Sequence, residues 1–513
     1  MNGLNELKSS CSLEGRAVVA QASSLHVALA RPLGSRANRM RWLAFGRAQQ
    51  AGSLRYEQSP IAARVKSCQP TPFVKRVASF IATCMIGFGL PQCRAAESPN
   101  QFWPQWRGPL ASGLAPTGNP PIQWSETNNI RWKIPLPGKG HSSPIIWKDR
   151  IFVTAAAPFG EQREPVYSKA PGAHDNFPVS QKHRFIVMAI ARENGKILWQ
   201  KTAHETIPHE GGHYTGSLAS NSPVTDGINV YACFGSHGLY CFDFNGKPIW
   251  QKDFGKMHSR HAHGEGSSPA LHGNTIVVNW DHEEQSFLTA LDKHTGKQIW
   301  KVAREETTSW SSPLIVEHKG QVQVIVSATG KVRGYDLNSG KVIWECGGLS
   351  RNVVASPVAA NGIVYAANSY DWQAMLAIRL EGAQGDITDT KQVIWKLNRL
   401  TPYVPSPLLY DDSLYFLRHN QNVLTHLDAK TGESRGGSYR LSGLREIFAS
   451  PVAAANRIYI SDRSGYTLVF GHGANPQPLS MNHLDDSFSA SAAIVDDEFY
   501  LRGEKHLYCI AEN

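Results

Sequence analysis

Cysteine is scarce in this chain and unevenly placed. Of eight in 513 residues, four (Cys11, Cys68, Cys84, Cys93) precede residue 97. No two are adjacent, which excludes a vicinal Cys-Cys pair, and a chain this long can rely on its core rather than on disulfides. Beyond the N-terminus there is no charge excess either. Residues 1–96 hold 13 Lys+Arg against 3 Asp+Glu, which leaves 39 of each sign for residues 97–513. The basic balance belongs to the leader, so no nucleic-acid partner is expected. A mostly apolar stretch, Val77–Leu90, has 14 residues and is too short for a comfortable membrane span. There is no Gly-rich nucleotide loop, His-Arg-Asp or Asp-Phe-Gly, which excludes a kinase.

The leader has an order of its own. Lys75-Arg76 precede Val77–Leu90, and Pro91 and the small residues Ala95-Ala96 follow. Basic, apolar, then small is the order of a secretory signal. Residues 74–96 are therefore expected to be a signal peptide, with translation starting at Val74 and the mature chain near Ala96 or Glu97. Residues 1–73 are expected to be over-extended annotation of the gene or a disordered leader. The protein is expected to be periplasmic or secreted, without a membrane span once the signal is removed, and monomeric.

One phrase then recurs: Ser142-Ser143-Pro144, Asn221-Ser222-Pro223, Ser267-Ser268-Pro269, Ser311-Ser312-Pro313, Ala355-Ser356-Pro357, Pro405-Ser406-Pro407, Ala449-Ser450-Pro451, and an eroded Ala490-Ser491-Ala492. From Pro223 the steps between prolines are 46, 44, 44, 50 and 44 residues. Each copy holds short apolar runs separated by Gly/Asn/Asp turns, which read as antiparallel strands. A period of this length with four strands per copy predicts a β-propeller. The fold expected for residues 97–513 is all-β, an eight-bladed propeller of four-stranded antiparallel blades. Copies six and seven have weak outer strands, so seven blades stays open. The eighth copy lacks an outer strand, and Asn129–Ile134, with Trp132, lies upstream to supply it and remove both free edges.

The repeated residues have physical tasks. Ser and Ala allow close approach at the ring centre, and proline at the start of an edge strand loses no ladder bond. Asp292…Gly296, Asp336…Gly340 and Asp428…Gly432 form tight turns, Gly supplying positive φ. Trp132, Trp199, Trp250, Trp300, Trp344 and Trp395 end outer strands and are expected to wedge between blades. Cys241 and Cys509 occupy the small slot held by Ala290 in copy three. Cys233 and Cys241 lie diagonally on adjacent strands, which argues against a disulfide.

Ala290-Leu-Asp292-Lys-His-Thr-Gly296-Lys-Gln-Ile-Trp300 resembles the tryptophan-docking motif of pyrroloquinoline-quinone (PQQ) repeat propellers. Gly334–Trp344 repeats it closely and Ala189–Trp199 more loosely. The resemblance spans roughly residues 103–511. Trp103-Pro-Gln-Trp106-Arg107-Gly108-Pro109 is similar to the opening of exported propellers abundant in planctomycete-like bacteria. This family includes quinoprotein dehydrogenases and the outer-membrane assembly lipoprotein of the BamB type, and its fold does not fix a function. The resemblance implies three readings: a binding or scaffold module for protein or polysaccharide, a PQQ-dependent oxidoreductase with calcium, or a BamB-like assembly scaffold. The binding module is the reading taken. The oxidoreductase lacks support, because no Asp matches the catalytic Asp of the dehydrogenases and no Cys-Cys pair is present; catalytic and cofactor residues stay unassigned.

His209-Glu210-Gly-Gly-His213 fits a zinc-protease pattern, but that pattern needs a helix, and two glycines oppose one. A weaker metal reading remains. His204, His209 and His213 precede copy two; His258, His261 and His263 precede copy three; His141 precedes copy one. Imidazoles converging from these loops would suit zinc or copper. Trp310, Arg351 and Tyr403 precede other inner strands, so this face is the expected ligand face.

Overall fold

A computed structural model describes residues 99–418 and 421–512. Residues 1–73, the signal-like segment 74–96 and the four early cysteines lie outside the described residues. The rest forms eight blades, each a sheet of four antiparallel strands running from inner to outer, with a short fifth strand added to the outer edge of blade four. Blade three is typical: Ala270–His272, Thr275–Trp280, Ser286–Asp292 and Gln298–Arg304. Inner strands are short and begin just after the repeated proline, as Ile145–Trp147 and Val358–Ala360 do. Second and third strands are almost wholly buried, whereas outer strands alternate between buried and exposed positions. This is the pattern of sheets stacked face to face around an axis. Copies six and seven do build outer strands, Ser434–Arg440 and Pro478–His483, and the ring has eight blades.

Blade eight is a composite. Ala493–Val495, Glu498–Arg502 and His506–Ile510 are completed by Ile130–Pro135, with Trp132 opposite Cys509. The seam is tied to blade one by charge. Arg192 bonds Asp496 (2.7 Å) and Glu498, and Glu498 also takes Arg131.

Register explains the small residues. The residue facing each tryptophan across the outer strand pair is Ala189, Cys241, Ala290, Gly334, Ala377 or Cys509. The four described cysteines are buried free thiols. Trp300 reaches the next blade: its indole N–H donates to Leu337 O (2.8 Å), and its ring lies where a Cβ on Gly340 would come within 2.6 Å. Gly340 sits at φ +71°, so both space and backbone demand glycine there. Trp132, Trp199, Trp250 and Trp395 repeat this, donating to Arg192, Phe244, Lys293 and Ala429 carbonyls. Trp344 departs from the expected wedge between blades. It donates to Gln323 Oε1 of its own blade and packs on its own Gly334. Blade five has no Asp…Gly turn to receive it; instead its longer connection lays Gly385–Asp386 along the outer strand of blade four as a fifth strand.

The segment after Trp103 closes one end of the central channel. Trp103 pairs with Ile146, Thr225 N bonds Pro104 O, Leu409 N bonds Ser112 O, and Leu114 pairs with Ala453. Arg107 sits within it, 2% exposed, donating to the carbonyls of Pro451 (2.6 Å), Ser112 (2.8 Å) and Pro407. Burial pushes its guanidinium down to about 9, which leaves it charged at neutral pH. One cation thus gathers carbonyls from blades six and seven and from the plug.

Candidate functional site

The plug turns the channel into a blind funnel of about 490 Å³, with Trp106 among its lining residues. Its wall follows a simple register. Counting back from each repeated proline, the third residue is His141, Ser220, Gly266, Trp310, Val354, Val404, Phe448 or, in the eroded copy, Ser489. All eight line the funnel. The residue two positions later is always serine, and five of these, Ser268, Ser312, Ser406, Ser450 and Ser491, line the funnel too, in keeping with the alternation of side chains along extended chain.

These serines form a belt. The amide of Ser143 donates to the hydroxyl of Ser222, Ser222 to Ser268, Ser268 to Ser312, Ser312 to Ser356, Ser356 to Ser406, Ser406 to Ser450, and Ser450 to Ser491, at 2.9–3.0 Å. Each link joins neighbouring blades and satisfies an inner amide that no strand reaches. A hydroxyl that accepts one bond still has a proton to donate. At the junction of blades eight and one, buried Arg502 donates to Ser142 O instead (3.0 Å). The sequence explains the small size of these serines as permitting close approach; their hydrogen bonds join residues a whole repeat apart and leave no mark in the spacing.

Above the belt the funnel is aromatic and almost uncharged. Trp310, Tyr214, Tyr403 and Phe448 line it with His141, His213 and His263. Trp310 is fixed by bonds to Gly264 O (2.7 Å) and Val353 O (2.8 Å). Burial pushes His141 down to about 3 and His263 to about 4, so both rings are neutral at pH 7. Their Nε2 atoms are buried without a protein partner. The carboxyl in the wall is Glu265, bonded by Ser236 N (2.6 Å) and Ser236 Oγ (2.5 Å) and pushed up to about 7 by burial.

Other sequence candidates lie elsewhere. Arg351 is half exposed and forms a two-pronged pair with Asp371 (2.7 and 2.6 Å), outside the funnel wall. His204 sits on the outer strand of blade one against Phe185. His261 has both ring nitrogens engaged, with Gly172 O (2.9 Å) and Arg260 Nε (3.3 Å). It belongs to a stack in which His213 and His263 are 4.8 Å apart and His174 touches both His261 and His263. His209 and His258 form a separate group with Glu210. The zinc-protease pattern is therefore split: His213 lies on the short strand Gly212–His213, paired with Asn176–Phe177, and enters the funnel, while His209 points elsewhere.

Residues the sequence did not single out include Glu265, Phe448, His174 and a buried network behind Trp310. There Asp281 accepts from Arg304 Nε (2.8 Å) and Arg304 Nη2 (3.0 Å), Ser309 Oγ (2.7 Å) and Asn279 Nδ2 (3.3 Å). The register rule alone would have found Phe448.

The neutral imidazoles carry a pH signature. Unfolded histidine gains a proton below about pH 6.5, whereas His141 in the fold resists until about pH 3. Between those values the unfolded chain binds more protons, so stability falls as pH drops. Glu265 works the other way. Its carboxyl is protonated more readily in the fold, so stability rises as pH falls from about 7 toward the ordinary carboxylate range. Urea unfolding at pH 7 and pH 5 reads the sum of the two, and a variant isolates one of them. His141→Gln is expected to shrink the acid loss by about 1–2 kcal/mol, and an unchanged loss would mean the ring is protonated in the fold.

Residues 183–438 match the family model described as outer membrane protein assembly factor BamB. Tetrathionate hydrolase of Acidithiobacillus ferrooxidans is 26% identical over 289 residues, 49% of this chain and 54% of that protein. Outer membrane protein assembly factor BamB of Yersinia pestis is 26% identical over 253 residues, 38% of this chain and 61% of that protein. The chain thus spans between half and two-thirds of the length of these curated relatives. Among solved structures, quinohemoprotein alcohol dehydrogenase from Comamonas testosteroni superposes with a TM-score of 0.56 at 10% identity, covering 82% of each chain. A europium-containing methanol dehydrogenase gives 0.53 at 9% identity, covering 80% of this chain and 91% of the other. At such identity the likeness is one of fold.

The quinone cofactor suggested by those neighbours can be tested against the wall. Calcium takes six to eight oxygen ligands, carboxylates foremost. The funnel offers Glu265, held by Ser236 and half-protonated near neutrality. Asp281 is committed to Arg304 and Ser309. These residues do not fit a calcium-bound quinone.

Proposed function

Because the chain belongs to the PQQ-like, BamB-like β-propellers, a fold that serves unrelated activities, we propose that it works as an exported binding module whose funnel takes the end of a neutral, polyhydroxylated chain such as a polysaccharide. The observation that carries this reading is the wall itself. Flat aromatic faces at Trp310, Tyr403 and Phe448 suit the C–H faces of sugar rings. The serine belt and the neutral His141 and His263 nitrogens offer uncharged donors and acceptors for hydroxyls. Convergent polar groups in a largely apolar concavity are the usual form of a small-ligand site. Near-absence of charge argues against phosphate or carboxylate ligands. Export is supported by the BamB resemblance, and no helix among the described residues is long and apolar enough to cross a membrane.

Calorimetry against a panel of neutral oligosaccharides tests this. Wild type is expected to bind at least one, and Trp310→Ala to weaken that binding at least tenfold with the fold kept. If no oligosaccharide binds while unfolded outer-membrane peptides do, the scaffold reading replaces it.

A further inference from the structure

The loop before inner strand two and the loop before inner strand three meet at the funnel through His213 and His263, and a second time outside its wall. Among the described residues, His209, Glu210 and His258 form the one group of three metal-ligand side chains, their donor atoms all within 4.8 Å of one another. His258 Nδ1 is 3.3 Å from Glu210 Oε1, and its Nε2 faces Glu284 Oε1 at 3.8 Å. The ring of His209 is oriented by a bond from Nε2 to Met257 O (2.7 Å). Met257 N in turn donates to Ser236 Oγ (2.6 Å), and Ser236 Oγ to Glu265 Oε1. Outer partners of this kind, a carbonyl for one imidazole and a carboxylate for the other, are what metal-binding histidines use to fix their rings.

We propose that His209, Glu210 and His258 bind one divalent transition-metal ion of the zinc class, clamping the two loops together. Two imidazoles and one carboxylate form the donor set of zinc sites that keep a position open for an outside ligand. Space for one exists: His209 and Glu210 also line a surface cavity of about 300 Å³ with Arg163, Tyr167 and Ile207. The same two residues line a smaller cleft shared with Glu265 and Ser217, both of which also face the funnel. An ion here therefore stiffens the loops that carry His213 and His263. The site stands on its own geometry and does not depend on what the funnel holds.

The sequence pattern points to the wrong partner. It pairs His209 with His213, four residues on, whereas the fold pairs it with His258 from the equivalent loop one blade later.

The experiment uses full-length protein stripped with chelator, then titrated with zinc chloride and assayed by calorimetry and elemental analysis. One zinc per chain is expected, with a higher melting temperature in its presence. His258→Ala, at a position whose side chain is 45% exposed, is expected to weaken zinc at least tenfold without unfolding the protein, and Glu210→Gln to do the same. His213→Ala with His263→Ala is expected to leave zinc binding unchanged. No stoichiometric zinc in wild type overturns the site. So does zinc uptake that survives in the His209→Ala, His258→Ala double variant, whatever the funnel variant does.

Discussion

Deleting residues 97–134 is expected to abolish the cooperative unfolding transition of the whole ring. The reason is how much that segment buries. Trp103 is 0%, Trp124 4% and Trp132 8% exposed. Emptying a buried aromatic site costs roughly 3–5 kcal/mol, and a folded domain holds only about 5–15 kcal/mol in total. The deletion also strips the closing strand from His506–Ile510, leaving a buried third strand as a free edge. It removes Arg107 from the carbonyls of Pro407 and Pro451 as well. Circular dichroism and calorimetry check this. A truncated chain that melts as one transition at the wild-type temperature would show that closure does not hold the ring. Trp132→Ala in the full chain is the graded control: about 3–5 kcal/mol lost, with the transition still single.

Most of the architecture could be read from the repeats, because propeller physics recurs at fixed positions. The proline marks an inner edge, the turn glycine a positive φ and a ring surface, and the tryptophan faces a small residue. Two readings needed the third dimension. Trp344 obeys the motif locally, yet its receiving turn is missing from the next copy, so the indole stays in its own blade. The outer runs of copies six and seven are weak in sequence and leave seven blades open; in the structure Ser434–Arg440 pairs with Val423–Asp428 and Pro478–His483 with Tyr466–Gly471. The funnel was half legible. Loops before the prolines were the expected ligand face, and the alternation of extended chain brings the third residue before each proline to the axis. Arg351 lies three residues before Val354, is not part of the funnel wall, and pairs with Asp371. What stayed hidden were partners a blade or a strand apart. Asp281 and Arg304 look like ordinary charged residues near strand ends, and nothing in their spacing announces that they meet.

That pair gives the second large effect. Asp281 and Arg304 are 1% and 5% exposed. Asp281→Ala is expected to cost about 3–5 kcal/mol, because Arg304 is left as a buried cation without its carboxylate. Glu306 does not substitute, since it is bound to Arg333. Removing both charges in Asp281→Ala with Arg304→Met should cost less than the two single changes added together, a coupling of about 1–3 kcal/mol measurable by urea unfolding. Additive losses, or a single-variant loss under about 1 kcal/mol, would mean the pair contributes no more than a surface bridge. The funnel should register the same change. Ser309 loses its Asp281 acceptor, and Ser309 is the neighbour of Trp310. Trp310 itself keeps its bonds to Gly264 and Val353. Oligosaccharide affinity should therefore fall in Asp281→Ala, but by less than in Trp310→Ala, because the indole is loosened rather than removed.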